Sequence, residues 1–320
     1  IGLTVETRPD HCNTEIVNAL LEMGTTRVEL GIQTVFDDVL ENVARGHKVK
    51  DSVEATAVLK RHGLKVGYHI MPGLPGMDID RDIEAFKIIF EDERFRPDML
   101  KIYPTLVIKG TELYRRWRRK EYMPYSTEQC VALIAEVKKR CPHWIRIQRI
   151  TRDIPVQMIE AGVKKSNLRQ LVKEYMAERG WRCRCIRCRE AGIRNLESGI
   201  DALETELMET TYRASNGMEH FISFEDPVQD ALAGYARLRL DQHATVRELK
   251  VVGTLVGIEQ RVKHAWQHRG YGRKLMARCE EIARERGYSS IRVTSGVGVR
   301  DYFRKLGYVF DSPYMVKHLS

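Results

Sequence analysis

No run of eighteen apolar residues occurs in this chain, and no positively charged leader followed by an apolar stretch opens it. The first absence argues against a membrane-spanning helix and the second against a secretory signal. The expectation is a soluble, cytoplasmic, globular protein with no membrane partner. Cysteine is sparse and odd in number: seven in 320 residues, one necessarily unpaired, do not suggest a secreted disulfide framework. Reduced thiols or metal ligands are expected instead. The spacing C-x-x-x-C-x-x-C is absent throughout, and so is an initiator methionine, since residue 1 is an isoleucine inside a strand-like run. Residues upstream are therefore expected to be missing from the chain.

What the chain has in excess is positive charge. Its 53 Lys and Arg against 44 Asp and Glu leave a net +9, which favours a polyanionic partner over a neutral one. A merely soluble basic protein would carry the same total, so distribution matters more. The cations crowd "YRRWRRK" (114–120), "VKKRCPHWIRIQRITR" (137–152), "VKKSNLR" (163–169) and "RCRCIRCR" (182–189), with Trp117, Trp144 and Trp181 among them. Aromatics interleaved with cations suit single-stranded or loop RNA, whose bases stack and whose phosphates pair.

Short apolar strands alternate with amphipathic helices through residues 1–150. "IGLTVET", "RVELGIQ", "LKVGYHIM", "MLKIYP" and "WIRIQRI" read as five strands. Between them lie helices over 13–24, 51–63 and 79–91 and one opening on "STEQ", with capping boxes at Asp51/Glu54 and Ser126/Gln129. Such alternation means parallel βα units in a wound sheet or barrel, and five strands fall short of a closed barrel of eight. Residues 151–203 read as a basic, Cys-rich connector with its own small core and one helix over 167–180. From 204 to 320 the pattern turns α+β, with consecutive strands "ELMETTYRAS", "GMEHFISFED" and "ALAGYARLRL", then "TVRELKVVG", a helix over about 270–286, strand "SIRVTS", helix "VRDYFRKLG" and strand "YVF".

"WQHRGYGRKLM" places glycines at a helix start, where unpaired N–H groups and the helix dipole favour a pyrophosphate and Arg269, Arg273 and Lys274 add charge. An ordinary loop is the alternative for the string taken alone. In "WRCRCIRC", Cys183, Cys185 and Cys188 can converge on one tetrahedral ion, and the adjacent arginines offset thiolate charge. Zinc, with a distant or solvent fourth ligand, is expected; free thiols or a redox pair are the alternatives.

The strand, Q-x-x-G-x-G, helix, strand and "YFRKLGY" order resembles the GNAT acetyltransferase family, in which acetyl-CoA lies in the splay between two strands. The resemblance implies that backbone groups of Glu248, Leu249, Lys250 and Val251 pair with the pantetheine arm. It also implies that Gln267, Arg269, Gly270, Tyr271, Gly272 and Arg273 hold the pyrophosphate, and that Tyr302 and Phe303 stand beside the CoA thiol. Tyr302 is the catalytic candidate, since a phenol donates a proton to a leaving thiolate; Phe303 is equally readable as core. "RVELGIQT" and "YHIMPGLPGMDIDRDIEAF" are similar to the radical-SAM barrel, which implies S-adenosylmethionine at Glu29 and Gln33, less firmly at Arg45 and His69 (otherwise a core histidine), and a 4Fe-4S cluster whose ligands are not in this chain.

Together, "GLTVETRPD", "RGH", "FRPDMLKIYPTLVIKGTELY", "QRITRDIP", "FEDPVQD", "RELKVVG", "SGVG" and "PYMVKHL" resemble the family of Elongator catalytic subunits along the full chain. The implied fold class is α/β: a partial radical-SAM-type parallel βα barrel, a Cys-rich connector and a C-terminal α+β GNAT domain. The implied function is acetyl-CoA-dependent modification of the tRNA wobble uridine at C5, with tRNA-stimulated acetyl-CoA hydrolysis and a carboxymethyl-type product. Implied partners are the tRNA anticodon stem-loop, at Arg149, Arg152, Lys164, Lys165 and Arg169, and Elongator-type accessory subunits or a second copy. Two other functions compete: a protein lysine acetyltransferase, with Glu248 or Glu259 as base, and a non-catalytic tRNA- and CoA-binding fragment.

Overall fold

The computed structural model describes residues 2–191, 204–252 and 270–319. The first sheet is parallel, with strand order β1 (Leu3–Thr7), β2 (Thr25–Gln33), β3 (Lys65–Ile70), β4 (Met99–Ile102), β6 (Arg146–Arg149). These are the five strands expected from sequence. A separate antiparallel pair, β5 (Val107–Ile108) and β7 (Ile159–Ala161), was too short to leave a periodic signal.

Helices α1 (Thr14–Glu22), α2 (Asp37–Asn42), α3 (Val49–Arg61), α4 (Ile79–Glu91), α5 (Glu112–Arg118) and α6 (Thr127–Arg140) connect the strands. Their starts follow from side-chain chemistry. The Ser126/Gln129 capping box is present, with Gln129 N donating to Ser126 Oγ at 3.2 Å and Ser126 N to Gln129 Oε1 at 2.9 Å. At α3 the expected start is displaced: the helix opens at Val49, and Asp51 sits in its first turn, accepting from Lys48 N at 2.6 Å.

Leu30, Ile32, Tyr68 and Leu100 of the strands and Leu59, Phe86, Ile89 and Ile134 of the helices form the first core. Val163 and Cys185 join this same cluster, with Leu168, Val172 and Met176 of α7 (Leu168–Glu178). The described part of the expected connector therefore has no core of its own: Val163, α7 and Cys185 complete the first core, while Ile186 of α8 (Ile186–Arg189) and Ala191 pack with side chains of the second sheet.

The second sheet runs in the order β13 (Val309–Asp311), β14 (Tyr314–His318), β12 (Ser290–Val293), β11 (Ala244–Val251), β10 (Ala231–Leu240), β9 (Gly217–Asp226), β8 (Glu206–Ala214). β8 and β9 form the expected hairpin; Ser215 and Asn216 both take positive φ, 47° and 61°, as a two-residue type I′ turn requires. Strand β14 was not foreseen, because "YMVKH" mixes apolar and basic residues without a clean alternation. Helix α9 (Tyr271–Glu285) lays Leu275, Met276, Cys279, Ile282 and Ala283 on this sheet, each large apolar side chain stabilising it by about 1.5–3 kcal/mol.

The two halves meet through charge. Arg247 of β11 donates to both Asp98 oxygens at 2.7 Å, to Glu219 Oε2 at 2.8 Å and to the Leu64 carbonyl at 2.9 Å. Arg237 (3.5 Å) and Lys60 (3.9 Å) flank Asp98, Arg239 bonds Glu219 at 3.0 Å, and all six side chains are buried. Asp98 precedes β4 and Lys60 lies in α3, so the second sheet is clamped to the end of the first at which its strands begin. Trp144 stacks on Tyr212 beside this cluster, ring centroids 4.4 Å apart.

Candidate active site

β11 and β12 part company early. They pair only through Ala244, Thr245 and Val246, and Thr294 N donates to the Val246 carbonyl at 3.1 Å. Beyond that point β11 continues to Val251 while β12 has ended. On its other side β11 stays paired with β10, and Val252 N donates to the Ala233 carbonyl at 2.8 Å. Alternation along an antiparallel ladder then turns the backbone groups of Leu249 and Val251 to the open side.

A cleft of about 510 Å³ fills the splay, lined by Leu249, Val251, Gly270, Gly272, Arg273, Val299, Tyr302 and Phe303. A second hollow of about 210 Å³ adjoins it, with Glu248, Lys250, Thr294, Ser295 and the barrel residues Gly2, Thr26 and Lys65 in its walls. The buried hydroxyls of Thr294 and Ser295 have no hydrogen-bond partner among the described residues. Helix α9 starts at the cleft with Gly270 as cap, φ 75°. A Cβ on Gly272 would stand 2.6 Å from Tyr302 Oη, so glycine there lets the phenol lie over the helix's unpaired first-turn N–H groups. Tyr302 is 38% exposed and burial pushes its phenol up, keeping it protonated.

Several candidates are placed differently from expectation. Phe303, 4% exposed, lines the cleft and is also a core residue. The Tyr271 side chain turns inward to Phe224 and Thr205 Oγ1, leaving only its backbone for a ligand. Gln267, Arg269 and Glu259 lie outside the described residues. Glu248 accepts from Arg237 Nε at 2.9 Å; burial raises its pKa, but the Arg237 charge wins and holds the carboxyl below its ordinary value. An ionised carboxylate committed to a guanidinium is a poor base for an amine.

Inside the barrel, Glu29 is buried in mid-strand, four residues before the end of β2 where Gln33 sits, rather than at the strand end. It accepts from His69 Nε2 at 2.8 Å, from Lys101 Nζ, and lies 3.2 Å from Arg27. Burial alone would raise its pKa; the hydrogen bonds from His69 and Lys101 outweigh it and hold the group at about 2. Glu6 bonds Lys101 at 2.8 Å and completes the layer, so His69 is a hydrogen-bond partner of a buried carboxyl rather than an apolar core histidine. Arg45 donates to the Gly31 carbonyl at 2.9 Å beside Gln33. A cavity of about 300 Å³ opens here, lined by Arg27, Glu29, Lys101, Arg146, Gln148, Arg149 and Arg187. Gln148 Oε1 is buried in it with no hydrogen-bond partner among the described residues, which leaves capacity for a polar ligand. Lys101 and Glu6 were missed from sequence; the signal was a lysine inside the otherwise apolar "MLKIYP".

Cys183, Cys185 and Cys188 do converge, their sulfurs within 4.8 Å of one another. Hydrogen bonds from Cys183 and Cys188 hold the Cys185 thiol well below its ordinary value, and buried Lys138 donates to Cys188 Sγ at 3.6 Å. This donor set suits a thiophilic cation.

Of the five RNA candidates, Arg149, Arg152, Lys164 and Lys165 are exposed, and the last three line one shallow cavity of about 350 Å³. Arg149 pairs with Asp153, and Arg152 stands 5.5 Å over the Tyr103 ring. Arg169 departs from the set: its guanidinium turns inward to the carbonyls of Gln148 (3.2 Å) and Ile147 (3.4 Å), close to the cysteines.

Among the described residues no helix is long and apolar enough to cross a membrane. Residues 1–88 match the Radical SAM superfamily, residues 97–178 the Radical_SAM C-terminal domain, and residues 189–308 the Acetyltransferase (GNAT) family. The chain is 48% identical over 334 residues to the tRNA uridine(34) acetyltransferase of Methanocaldococcus jannaschii, a match covering all of this chain and 62% of that protein. It is 44% identical over 332 residues to human Elongator complex protein 3, covering 61% of it. A solved structure of Methanocaldococcus infernus Elp3 with an N-terminal deletion (1–46) superposes with a TM-score of 0.95 at 47% identity, covering all of this chain and 78% of that one. The chain thus spans about three fifths of the length of the curated relatives it matches.

Proposed function

From the premise that this chain belongs to the Elp3 family of tRNA uridine(34) acetyltransferases, a radical-SAM sheet joined to a GNAT domain, we propose that it takes acetyl-CoA into the β11/β12 splay and consumes it for C5 modification of the tRNA wobble uridine. The observation carrying this reading is the splay itself: a strand edge that is unpaired with β12 beyond Val246 among the described residues, a helix N-terminus at Gly270 and a phenol that lines the cleft between them and lies against Gly272.

The pantetheine amides pair with Leu249 and Val251, and the pyrophosphate meets Gly270, Gly272 and Arg273 at the start of α9. Water adds to the thioester carbonyl as the C–S bond breaks, leaving a carboxyl group, and Tyr302 donates its proton to the departing CoA thiolate, for which burial keeps the phenol protonated. When bound, S-adenosylmethionine and its iron-sulfur cluster supply radical chemistry for carbon–carbon bond formation. The barrel residues Glu29 and Gln33 face that ligand, with Glu29 fixed in place by His69 and Lys101. Cys183, Cys185 and Cys188 would hold a zinc ion, which would staple the turn between the halves, and the neighbouring Lys138 would offset thiolate charge. Arg149, Arg152, Lys164 and Lys165 contact anticodon-loop phosphates, and Elongator-type subunits are the expected protein partners.

Lysine acetylation is the weaker reading, because Glu248 is bound to Arg237 and the barrel would have no task. Hydrogen–deuterium exchange tests the cleft assignment. Acetyl-CoA is expected to protect 248–251 and 270–274 from exchange and to leave β8 unchanged; protection elsewhere, or none at binding concentrations, rejects it.

A further inference from the structure

Among the described residues the acetyl-CoA cleft and the barrel cavity share no lining side chain, yet one carboxylate touches both walls. Glu190 Oε1 accepts from Lys250 Nζ, on the wall of the cleft's smaller hollow, at 2.8 Å. The same oxygen accepts from Arg146 Nη1, on the wall of the barrel cavity. Glu190 itself lines neither space and is 6% exposed. Its backbone is pinned on two sides: its N–H donates to the Ile186 carbonyl at 2.9 Å, and it forms an isolated bridge with Leu232 of β10. Arg189, just before it, is anchored to Glu225 at 2.5 Å and to the His143 carbonyl at 3.2 Å. The cysteine turn at 183–188 leads straight into this pair, so whatever fixes the turn fixes Glu190.

One carboxylate oxygen that accepts from two cations holds each less strongly than it would hold either alone, so drawing one away tightens its hold on the other. Arg27 and Lys101 pair with Glu29, the proposed S-adenosylmethionine contact, whereas Arg146 and Arg149 of β6 and Arg187 line the same cavity with no carboxylate of that lining beside them but Glu29. Arg149 is also one of the cations proposed above for RNA, and this side of the cavity attracts an anion such as a phosphate.

We propose that Glu190 is the positioning residue through which RNA at the barrel cavity controls the acetyl-CoA cleft, an inference that rests on the function given above. A phosphate at the cavity draws the Arg146 guanidinium away from Glu190. The carboxylate is then left to Lys250 alone and holds that ammonium back against the wall, which clears the edge of β11 for the pantetheine. Linkage makes the effect reciprocal: acetyl-CoA tightens RNA binding by the same factor as RNA tightens acetyl-CoA. Glu190 touches neither ligand and acts only through the two cations.

The test is titration calorimetry of acetyl-CoA into this chain with and without saturating total tRNA, for the unsubstituted protein, Glu190→Gln and Glu190→Asp. The unsubstituted chain is expected to bind acetyl-CoA at least about fivefold tighter with tRNA present. In Glu190→Gln that ratio falls to one, while the affinity for each ligand alone stays within about twofold and the melting temperature is kept. Glu190→Asp, which retains the charge, recovers most of the ratio; a purely structural role would not produce this pattern. Coupling that survives in Glu190→Gln overturns the proposal, as does a joint loss of both affinities in that variant. An unsubstituted chain that binds both ligands without coupling overturns it as well. A chain that binds neither ligand rejects the tRNA and acetyl-CoA reading itself.

Discussion

Single side chains separate the reactive from the structural among residues that look alike in sequence. Tyr302 and Phe303 are adjacent aromatics that both line the cleft, but Phe303 is otherwise buried in the core and only Tyr302 carries a proton to give. Tyr302→Phe is expected to cut CoA release about a hundredfold with acetyl-CoA affinity retained, which a kcat against KM comparison measures. Arg152 and Arg169 both read as phosphate contacts, because charge pattern reports composition and not direction. The fold turns Arg169 onto backbone carbonyls instead. Arg169→Ala should therefore lower stability by about 2 kcal/mol and leave tRNA affinity nearly intact, whereas Arg152→Ala should weaken tRNA binding and reduce its salt dependence. Denaturant melts and filter binding on both variants distinguish the two roles.

Whole elements were legible where one period dominated. The helix over 79–91 and the five parallel strands were readable because apolar residues recur on one face or run continuously. β7 and β14 were not, since three residues carry no period and β14 places basic Lys317 and His318 in a strand. The loop after β3 illustrates a constraint that no pattern discloses. Asp82 of α4 accepts from Gly73 N at 2.8 Å and from Tyr125 Oη at 2.7 Å, both on one oxygen. Burial raises its pKa from 3.8 to about 7. Because the folded value is the higher one, its contribution to stability is fully present below pH 3.8 and is lost as pH rises toward 7. Asn in its place keeps an oxygen for both donors. Asp82→Asn is thus expected to match the unsubstituted chain near pH 4 and to exceed it in stability at pH 8, read from melting curves across that range. Identical pH profiles would show that the carboxyl does not titrate there.

Across the molecule, what the sequence disclosed was two domain types in order, while how they are joined depended on contacts between residues far apart in the chain. Arg237, Arg239 and Arg247 were visible as cations inside apolar strands, yet nothing local names Asp98 and Lys60 as their counterparts. Removing Arg247 strands two buried carboxylates. Arg247→Ala should cost about 3–5 kcal/mol and split one unfolding transition into two by calorimetry. The cysteine turn belongs to the same junction: its sulfurs meet beside the barrel core, and its last residues reach the acetyltransferase-like sheet. The clamp joins the parts that hold the exposed cations Arg152, Lys164 and Lys165, the barrel cavity and the β11/β12 cleft, an arrangement that agrees with the proposed joint use of RNA and acetyl-CoA. CoA release from acetyl-CoA, followed with tRNA, with a lysine-containing peptide, and with neither, tests that most directly. Release stimulated by tRNA and unaffected by the peptide is expected; peptide acetylation that proceeds equally without RNA would show that the cleft serves a protein substrate instead.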